Sequence, residues 1–380
     1  MKDKAEVVVI GGGVNGLGVA YWLAKKGLDD VVVLEKSYLG SGASGRNTGG
    51  VRQQWASKYN IILARESVKM FEKLSDELNF NIMFRQTGYL ILIWDEEELE
   101  QFKKNVKLQN SLGVPSKIIT PEEAKEIVPP LNIKNIIAAT FCKKDGVLHP
   151  LALVWGYERA LKRMGIEINT FTEVKDIKVE NGEIKEVVTN RGNIKTNIVV
   201  NATGPHAPII GKMVGVDIPI TPYRHEIMVS EPLQPILDPM ILSFKHGLYV
   251  TQTNRGEIIG GISTDEKPGY DIRGTVQFAE RFSRAIVEII PQMKYVNMLR
   301  QWAGLYDMTP DAQPIIGPTE GVHEMIQING FSGHGVMLNP ISVKLVAELI
   351  VDGKTSIDIS PLSLDRFKEP MEVKEKLVVG

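Results

Sequence analysis

Three glycines and one acidic residue near the start of the chain have the spacing of a nucleotide-binding fingerprint. Gly11, Gly13 and Gly16 follow a β-branched run, and Glu35 lies 19 residues after the last of them. The first glycine permits a tight turn, the second lets a pyrophosphate approach the backbone, and the third lets a helix pack closely on a strand. A carboxylate at the position of Glu35 accepts hydrogen bonds from ribose hydroxyls, and it argues against a 2′-phosphate. The pattern predicts a dinucleotide site.

The elements that must position these residues form one βαβ unit. Residues 7–10 and 31–34 are valine-rich runs typical of buried parallel strands, and the segment between them has a helical pattern. The N-terminus of that helix would face the phosphates. Because a strand, a helix and an acid all stand at the required spacing, the fingerprint is more specific than its glycines alone.

Three other segments rich in small residues are candidates for contact with the same ligand. Residues 40–50 form a glycine- and serine-rich loop, residues 198–204 are typical of a buried strand that ends in small residues, and residues 330–335 read Gly-Phe-Ser-Gly-His-Gly. A backbone with small side chains can follow a surface closely. We therefore expect these segments to meet near the fingerprint.

The remaining chain alternates helical and strand patterns, and the Asn181-Gly182 pair predicts a hairpin turn. Because 380 residues exceed one ordinary core, the sequence favours two domains. The predicted helices are 57–78, 96–112, 121–127, 151–164, 276–290 and 340–351, and the predicted strands outside the first unit are 88–94, 166–171, 174–179, 183–189, 198–201, 226–230, 247–251 and 257–261.

Composition excludes several classes of protein. A net charge of −2, from 44 basic and 46 acidic residues, gives no electrostatic footprint for nucleic acid. The single Cys142 excludes an intrachain disulfide or a Cys-x-x-Cys pair. No His, Cys, Asp or Glu cluster has metal-ligand spacing, and no apolar run reaches transmembrane length. The first strand begins within a few residues of the N-terminus, so we expect no signal peptide. We expect a cytoplasmic protein and leave open a peripheral association with the membrane.

Four separated motifs together resemble the FAD-dependent amine and amino-acid oxidoreductases of the D-amino-acid oxidase superfamily. Within it, the chain is similar to the β subunits of hetero-oligomeric sarcosine oxidase and, most closely, of archaeal dye-linked L-proline dehydrogenase. The motifs are Gly11–Gly16 with Glu35, Ser44-Gly-Arg-Asn-Thr48 running on to Arg52, Asn201-Ala-Thr-Gly204, and Thr309-Pro-Asp311 with Gly330–Gly335.

This resemblance implies an α/β fold with an α+β insert. A Rossmann-like FAD-binding domain of residues 1–83, 146–213 and 302–362 would be interleaved with a smaller mixed-sheet substrate domain of residues 84–145 and 214–301. Residues 363–380 would form a C-terminal tail.

The resemblance also implies which residues bind FAD. Gly304 stands where monomeric sarcosine oxidases attach their flavin through a cysteine, so we expect the FAD here to be non-covalent. The helix after residues 330–335 would point its N-terminus at the pyrimidine edge of the flavin. The implied contact residues are Gly11, Gly13, Val14, Asn15, Gly16, Glu35, Lys36, Ser44, Gly45, Arg46, Asn47, Thr48, Gly49, Val174, Ala202, Thr203, Gly204, Gly304, Gly330, Ser332, Gly333, His334, Gly335, Val336 and Met337.

Four residues are candidates for contact with the substrate. Arg52 stands where sarcosine oxidases bind the substrate carboxylate, and a guanidinium suits that task; a surface ion pair is the alternative. Tyr249 could cover the flavin or bond the substrate, or be a plain sheet aromatic. His334 lies in the predicted flavin loop, and His225 could do acid–base work or be structural. Met337 replaces a lysine of sarcosine oxidases, so recognition of the carboxylate must depend on other residues.

The implied reaction is oxidation of the C–N bond of a secondary amino acid, with L-proline ahead of sarcosine or glycine derivatives. The lone pair of a neutral amine assists hydride loss to flavin N5 and gives an imine, a step that needs positioning more than a nucleophile. Two alternatives stay open. A 2-hydroxy-acid or glycerol-phosphate dehydrogenase would need a base near the flavin, and a non-catalytic subunit would only relay electrons.

The resemblance further implies partners. We expect a small amino-acid substrate, a second flavoprotein subunit in a hetero-oligomer, and a carrier or dye that accepts the electrons. An FMN shared with the partner subunit stays open.

Overall fold

A computed structural model describes residues 1–368 and 374–378 of the chain. Its helices are α1 (Val14–Lys25), α2 (Lys58–Glu77), α3 (Glu96–Ser111), α4 (Pro121–Ile127), α5 (Pro150–Arg163), α6 (Ala207–Met213), α7 (Val276–Ile289) and α8 (Asn339–Asp352). Its strands are β1 (Val7–Ile10), β2 (Val31–Leu34), β3 (Gly50–Val51), β4 (Tyr89–Ile93), β5 (Lys117–Ile119), β6 (Ala138–Cys142), β7 (Gly146–Val147), β8 (Glu167–Asn169), β9 (Val174–Glu180), β10 (Glu183–Thr189), β11 (Gly192–Lys195), β12 (Ile198–Asn201), β13 (Thr221–Pro232), β14 (Met240–Ser243), β15 (Leu248–Gln252), β16 (Glu257–Ile262), β17 (Met298–Met308), β18 (Ile315–Thr319) and β19 (Val322–Asn329).

The first large sheet has six strands in the order β18-β19-β12-β1-β2-β8. All neighbours pair in parallel except β18, which runs antiparallel to β19. Alternate residues of β1 point to opposite faces: Val7 and Val9 pack in the core with α1, α2, α5 and α8, whereas Val8 and Ile10 pack against the meander β9–β11. Burial on both faces explains why these strands are continuous apolar runs.

The second large sheet has eight strands in the order β17-β13-β16-β15-β14-β4-β6-β5. Its neighbours pair antiparallel except β14 with β4, which are parallel. One face is covered by α7, whose Phe278 and Phe282 are fully buried in a core of their own. The side chain of Thr275 caps the N-terminus of this helix by accepting from the Phe278 N–H.

The fold class predicted from the sequence is confirmed, since a mainly parallel sheet with helices is interleaved with a mixed sheet. The predicted helices occur within one or two residues of their bounds, and the Asn181-Gly182 hairpin joins β9 to β10. The division into residue ranges stays a prediction, with one boundary that needs correction. The limit between residues 301 and 302 falls inside β17, which pairs with β13 from Met298 to Met308.

Nine strands of the described residues were not predicted: β3, β5, β6, β7, β11, β14, β17, β18 and β19. The strand β19 carries Gln327 and Asn329, which are polar yet fully buried. The Asn201 side chain donates to Gln327 Oε1 at 3.0 Å, and the Asn329 side chain donates to the Asn201 carbonyl at 2.7 Å. Because these polar groups bond to each other inside the sheet, β19 lacks the apolar pattern that identifies a buried strand.

Part of the predicted C-terminal tail packs on the rest of the chain. Arg366 donates to the buried carboxylate of Asp311 at 2.8 Å, and Glu375 and Leu377 are buried. The remaining tail residues, 369–373 and 379–380, lie outside the described residues. Within the described part of the chain, no helix is long and apolar enough to cross a membrane, and no group of His, Cys, Asp or Glu could hold a metal ion.

Candidate active site

The glycine fingerprint has the close packing that its spacing predicts. The helix α1 begins directly after Gly13. Gly11 has a φ of +117°, and a Cβ at this position would lie 2.4 Å from the Ala202 carbonyl oxygen. A Cβ on Gly16 would lie 1.9 Å from the carbonyl oxygen of Gly11. Side chains are therefore excluded where strand, turn and helix meet, and the N-terminus of α1 is kept accessible.

The carboxylate of Glu35 is fixed at the end of β2. Its Oε2 accepts from the Gly12 N–H at 2.8 Å, and its Oε1 accepts from the Ser37 N–H at 2.8 Å. The Ser41 hydroxyl approaches Oε1 at 3.4 Å. Each carboxylate oxygen can accept further hydrogen bonds, so this half-buried group is oriented to receive ribose hydroxyls.

The loop of residues 40–50 folds over the start of α1. Ser44 Oγ accepts from the Val14 N–H at 3.1 Å. Arg46 donates to the carbonyls of Ser41 at 2.9 Å and Ala303 at 3.0 Å, so it braces the loop against β17. Gly304 faces the Arg46 side chain, where an added Cβ would lie 3.2 Å from Arg46 Cβ. Arg46 thus braces the loop, and its contact with FAD stays a prediction.

The other predicted FAD residues converge on the same region. The side chain of Asn339, at the start of α8, donates to the Val14 carbonyl at 2.9 Å and to Asn15 Oδ1 at 3.0 Å. The Gly204 N–H donates to Asn329 Oδ1 at 2.7 Å, which holds the residues after β12 in place. Val174 is buried at the start of β9, and Lys36 is exposed next to Glu35.

A buried aspartate that the sequence reasoning missed holds the loop of residues 330–335. Asp307 Oδ2 accepts from the N–H groups of Gly330 at 2.8 Å and Phe331 at 3.1 Å. Burial raises the pKa of Asp307 to about 6, an effect that these hydrogen bonds oppose. No local signal marked Asp307, because the N–H groups that it accepts from lie 23 and 24 residues further along the chain.

The arrangement fits an extended FAD. The fingerprint and Glu35 would hold the adenosine and pyrophosphate, and the loops of residues 40–50 and 330–337 would continue the site from there. Gly333 has a φ of +89°, and a Cβ there would lie 2.4 Å from the Tyr306 ring. The loop therefore has no side chain at residue 333, and a flat ring system could lie against its backbone.

A pocket lies where the second sheet meets these loops. Its walls combine backbone of the two glycine-rich loops with side chains from β4, β14, β15 and β17. The lining residues are Asn47, Thr48, Gly49, Gly50, Arg52, Tyr89, Leu242, Tyr249, Tyr306, Gly333, His334, Val336 and Met337. Residues predicted to contact flavin and residues predicted to contact substrate thus share one pocket.

Arg52 is the most unusual group of the pocket. Its side chain is fully buried, yet no carboxylate among the described residues lies within ion-pair distance of it. Its Nη atoms donate to the carbonyls of Gln54 at 3.3 Å and Leu377 at 2.6 Å, and its guanidinium lies 3.9 Å from the centre of the Trp55 ring. The Nε has no hydrogen-bond partner in the described part of the chain. The alternative of a surface ion pair is therefore wrong.

Burial lowers the pKa of Arg52, while Tyr89, Glu375 and Asp145 act in the opposite direction. Asp145 is fully buried and accepts from the Gln53 and Gln54 side chains, each at 3.0 Å. An arginine keeps its charge even in such surroundings. The pocket lining thus includes a fixed positive charge.

Three tyrosines, Tyr89, Tyr249 and Tyr306, line the pocket, and His225 lies behind Tyr249. His225 Nε2 lies 2.9 Å from the Tyr249 hydroxyl, and the His225 ring stacks on Tyr306 at 4.5 Å. Burial lowers the pKa of His225 to about 4, raises the pKa of Tyr306 to about 12, and raises the pKa of Tyr249 well above its usual value. These groups are neutral at neutral pH. Tyr89 and Tyr306 were missed, because a tyrosine in a strand is usually a packing residue.

His334 also borders the pocket. Its ring meets the Trp55 ring edge-on at 4.4 Å. Burial lowers the pKa of His334, and the charge of Arg52 lowers it further. Of the four predicted substrate residues, the structure brings Arg52, Tyr249 and His334 to the pocket wall and places His225 directly behind Tyr249.

Comparison with known proteins agrees with this geometry. Sarcosine oxidase subunit beta of Rhodobacter capsulatus is 33% identical over 388 residues, which covers 100% of this chain and 92% of the relative. The crystal structure of L-proline dehydrogenase from P. horikoshii is 44% identical with a TM-score of 0.94, and the match covers 97% of this chain and 99% of that one. The crystal structure of glycine oxidase from Geobacillus kaustophilus is 25% identical with a TM-score of 0.89, covering 96% of this chain and 99% of that one.

The family described as FAD dependent oxidoreductase matches residues 6–349. This range contains the fingerprint, both glycine-rich loops and every pocket residue named above. The resemblance inferred from the four motifs is confirmed, and the chain belongs to the FAD dependent oxidoreductase family.

Proposed function

We propose that the protein oxidises the C–N bond of a secondary amino acid, with L-proline as the preferred substrate. The observation that carries this proposal is the buried guanidinium of Arg52, a residue that lines the pocket and has no ion-pair partner among the described residues. A buried charge without an ion pair is costly, and an incoming carboxylate would supply the missing partner. The 44% identity to L-proline dehydrogenase from P. horikoshii supports L-proline as the first choice.

The bound FAD would supply the electron acceptor for this oxidation. The residues of the chain supply binding and orientation. Arg52 holds the substrate carboxylate, and Tyr89, Tyr249 and Tyr306 pack around the rest of the molecule. Because the pocket is buried between the second sheet and the glycine-rich loops, it limits the access of water.

The neutral state of His225 favours amine oxidation over oxidation of a hydroxy acid. A hydroxy acid needs a base that takes the hydroxyl proton, and a histidine with a pKa of about 4 is a weak base. An amino acid needs no such base when its neutral-amine form is the one that binds, because the amine proton has then already passed to solvent. Amine oxidation therefore does not require His225 to act as a base, and His225 bonds to Tyr249.

Anaerobic reduction of the flavin tests the proposal. The purified protein with its FAD is mixed with L-proline, sarcosine, glycine, a 2-hydroxy acid and glycerol 3-phosphate, and the loss of flavin absorbance is followed. We expect L-proline to bleach the flavin fastest and the hydroxy acid and glycerol phosphate not to bleach it. Failure of every amine to bleach the flavin would overturn the proposal and favour a subunit that only relays electrons.

Substitution of Arg52 separates carboxylate binding from flavin binding. Arg52→Lys keeps a charge but loses the planar fork, so we expect a fall of about 100-fold in kcat/KM for L-proline, roughly 3 kcal/mol, with FAD content unchanged. Arg284→Lys is the matched control, because Arg284 is exposed on α7. An unchanged kcat/KM in Arg52→Lys would remove Arg52 from the substrate site.

We further propose that the chain functions beside a second flavoprotein subunit in the cytoplasm, passing electrons to a carrier. The relatives named sarcosine oxidase subunit beta support a partner, and the single cysteine suits a reducing compartment. An FMN shared with that subunit is part of this proposal. Purification from the native source tests it: a complex with a second chain and two flavin types is expected, and a homogeneous single chain with full dye-linked activity would contradict it.

A further inference from the structure

A segment near the C-terminus contacts Arg52, which lines the pocket. Residues 374–378, here called the C-terminal strap, alternate between exposed and buried side chains. Glu375 is only 2% exposed and Leu377 only 5% exposed, whereas the lysines at 374 and 376 are exposed. The strap therefore packs the side that carries Glu375 and Leu377 against the rest of the protein.

The strap contacts Arg52 through its backbone. The Leu377 carbonyl accepts from Arg52 Nη2 at 2.6 Å, and the Gln54 carbonyl accepts from Nη1 at 3.3 Å. Two carbonyls therefore hold the plane of the guanidinium while its Nε stays without a partner among the described residues. The side chain of Leu377 packs in the core that also contains Trp55 and Tyr89.

Glu375 fixes the strap in place. Its Oε1 accepts from the N–H groups of Ala56 at 3.1 Å and Leu377 at 2.9 Å, and its Oε2 accepts from the Ser57 N–H at 2.8 Å. One carboxylate thus joins the strap to the start of α2, which follows Arg52 in the chain. The Glu375 N–H also donates to the Asp311 carbonyl at 2.9 Å.

We propose that the C-terminal strap is a positioning element of the substrate site, in which the Leu377 carbonyl orients the Arg52 guanidinium and Glu375 holds that carbonyl in place. The inference rests on the proposed function, because it assigns Arg52 to the substrate carboxylate. Without the strap, the guanidinium loses its strongest backbone acceptor and can turn away from the pocket. Affinity for carboxylates should fall, whereas flavin binding should not.

Carboxylate binding to the FAD-containing full-length protein tests this inference. The probe is pyrrole-2-carboxylate, a flat ring carboxylate that lacks the amine C–H bond to be oxidised, and its dissociation constant is read from the change in flavin absorption. We expect Glu375→Gln to raise the dissociation constant about tenfold, because an amide has one oxygen acceptor where the carboxylate has two. A chain that ends at residue 373 should bind at least as weakly. Lys376→Ala, at an exposed position of the same strap, should bind as the wild type does.

A cycle with Arg52 shows whether the strap acts through it. In an Arg52→Lys background, Glu375→Gln should change the dissociation constant by less than twofold, because the group it positions is gone. A full tenfold effect in that background, or wild-type binding by Glu375→Gln, would overturn the inference while leaving the proposed function standing. If the wild-type protein shows no carboxylate-dependent change in its flavin spectrum, the proposed function fails and this inference fails with it.

Discussion

The pocket is built from ionisable residues whose neighbours decide their charge. Arg52 stays positive within a buried environment, while His225, Tyr249 and Tyr306 stay neutral because burial disfavours their charged forms. A carboxylate substrate bound as proposed would meet one positive charge and neutral donors and acceptors. Arg52 would then orient the substrate through its acid group.

The depressed pKa of His225 makes stability depend on pH. Because this pKa is about 4 in the folded protein and near 6.5 in an unfolded chain, the unfolded chain binds more protons between these values. The histidine therefore contributes stability above pH 6.5 that is lost as the pH falls toward 4. His225→Phe cannot be protonated, so from pH 6.5 to 4 its free energy of unfolding should fall by up to about 3 kcal/mol less than that of the wild type.

Denaturant titrations at several pH values measure this difference. Tyr249→Phe is the control, because it removes the hydroxyl bonded to His225 but keeps the titrating ring. It should retain most of the pH dependence of the wild type. Parallel pH profiles for His225→Phe and the wild type would contradict the prediction.

Sequence reasoning could find individual site residues where a motif marks them. Arg52 follows a recognisable loop and His334 lies within another, and both prove to border the pocket. Tyr89 and Glu375 could not be found in this way, because their contact with the site depends on how distant segments pack. Their roles at the site stay predictions.

At the scale of elements, the glycines of the loop of residues 40–50 differ in how much room each leaves for a Cβ. A Cβ on Gly45 would lie 2.4 Å from the Gly40 carbonyl oxygen, whereas a Cβ on Gly42 would meet nothing within 4 Å. Gly45→Ala should therefore displace the loop from the start of α1 and lower FAD content several-fold, while Gly42→Ala should leave it unchanged. Flavin absorbance per chain after gel filtration measures both. Equal FAD content in the two variants would show that the loop adapts to a Cβ.

The longer helices and the strands β1 and β2 could be predicted because their apolar patterns are regular. The helices α2, α3, α5 and α7 carry 3.6-residue periodicity, and β1 and β2 are short apolar runs between turns. The strands β17 and β19 could not be predicted, since polar or glycine residues interrupt their patterns. Their assignment depends on pairing with β13 and β12, which local sequence does not contain.

At the scale of the whole molecule, the predicted FAD site includes residues of both large sheets. The fingerprint belongs to the six-stranded sheet, while Tyr89, Leu242 and Tyr249 enter the pocket from the eight-stranded sheet. A ligand that binds only the folded protein raises stability by about 2.7 kcal/mol at 100 times its dissociation constant. FAD at this excess should therefore raise the melting temperature of the apoprotein as one shifted transition.

Scanning calorimetry of the apoprotein measures this shift, with riboflavin as the matched ligand. Riboflavin lacks the pyrophosphate and adenosine that the fingerprint and Glu35 would bind. At the same concentration it should raise the melting temperature much less. Equal shifts from the two ligands, or a shift in only one of two resolved transitions, would contradict the prediction.

The strand β17 has a consequence for protein engineering. It pairs with β13 in the eight-stranded sheet from Met298 to Met308. Asp307, near the end of this strand, holds the loop of residues 330–333 by accepting from the N–H groups of Gly330 and Phe331. A chimera that imports the mixed sheet of a relative to change substrate preference cannot be joined at residue 302 without splitting this strand. The graft should run through Met308, and the incoming strand should bring an aspartate that fits the host's glycine loop.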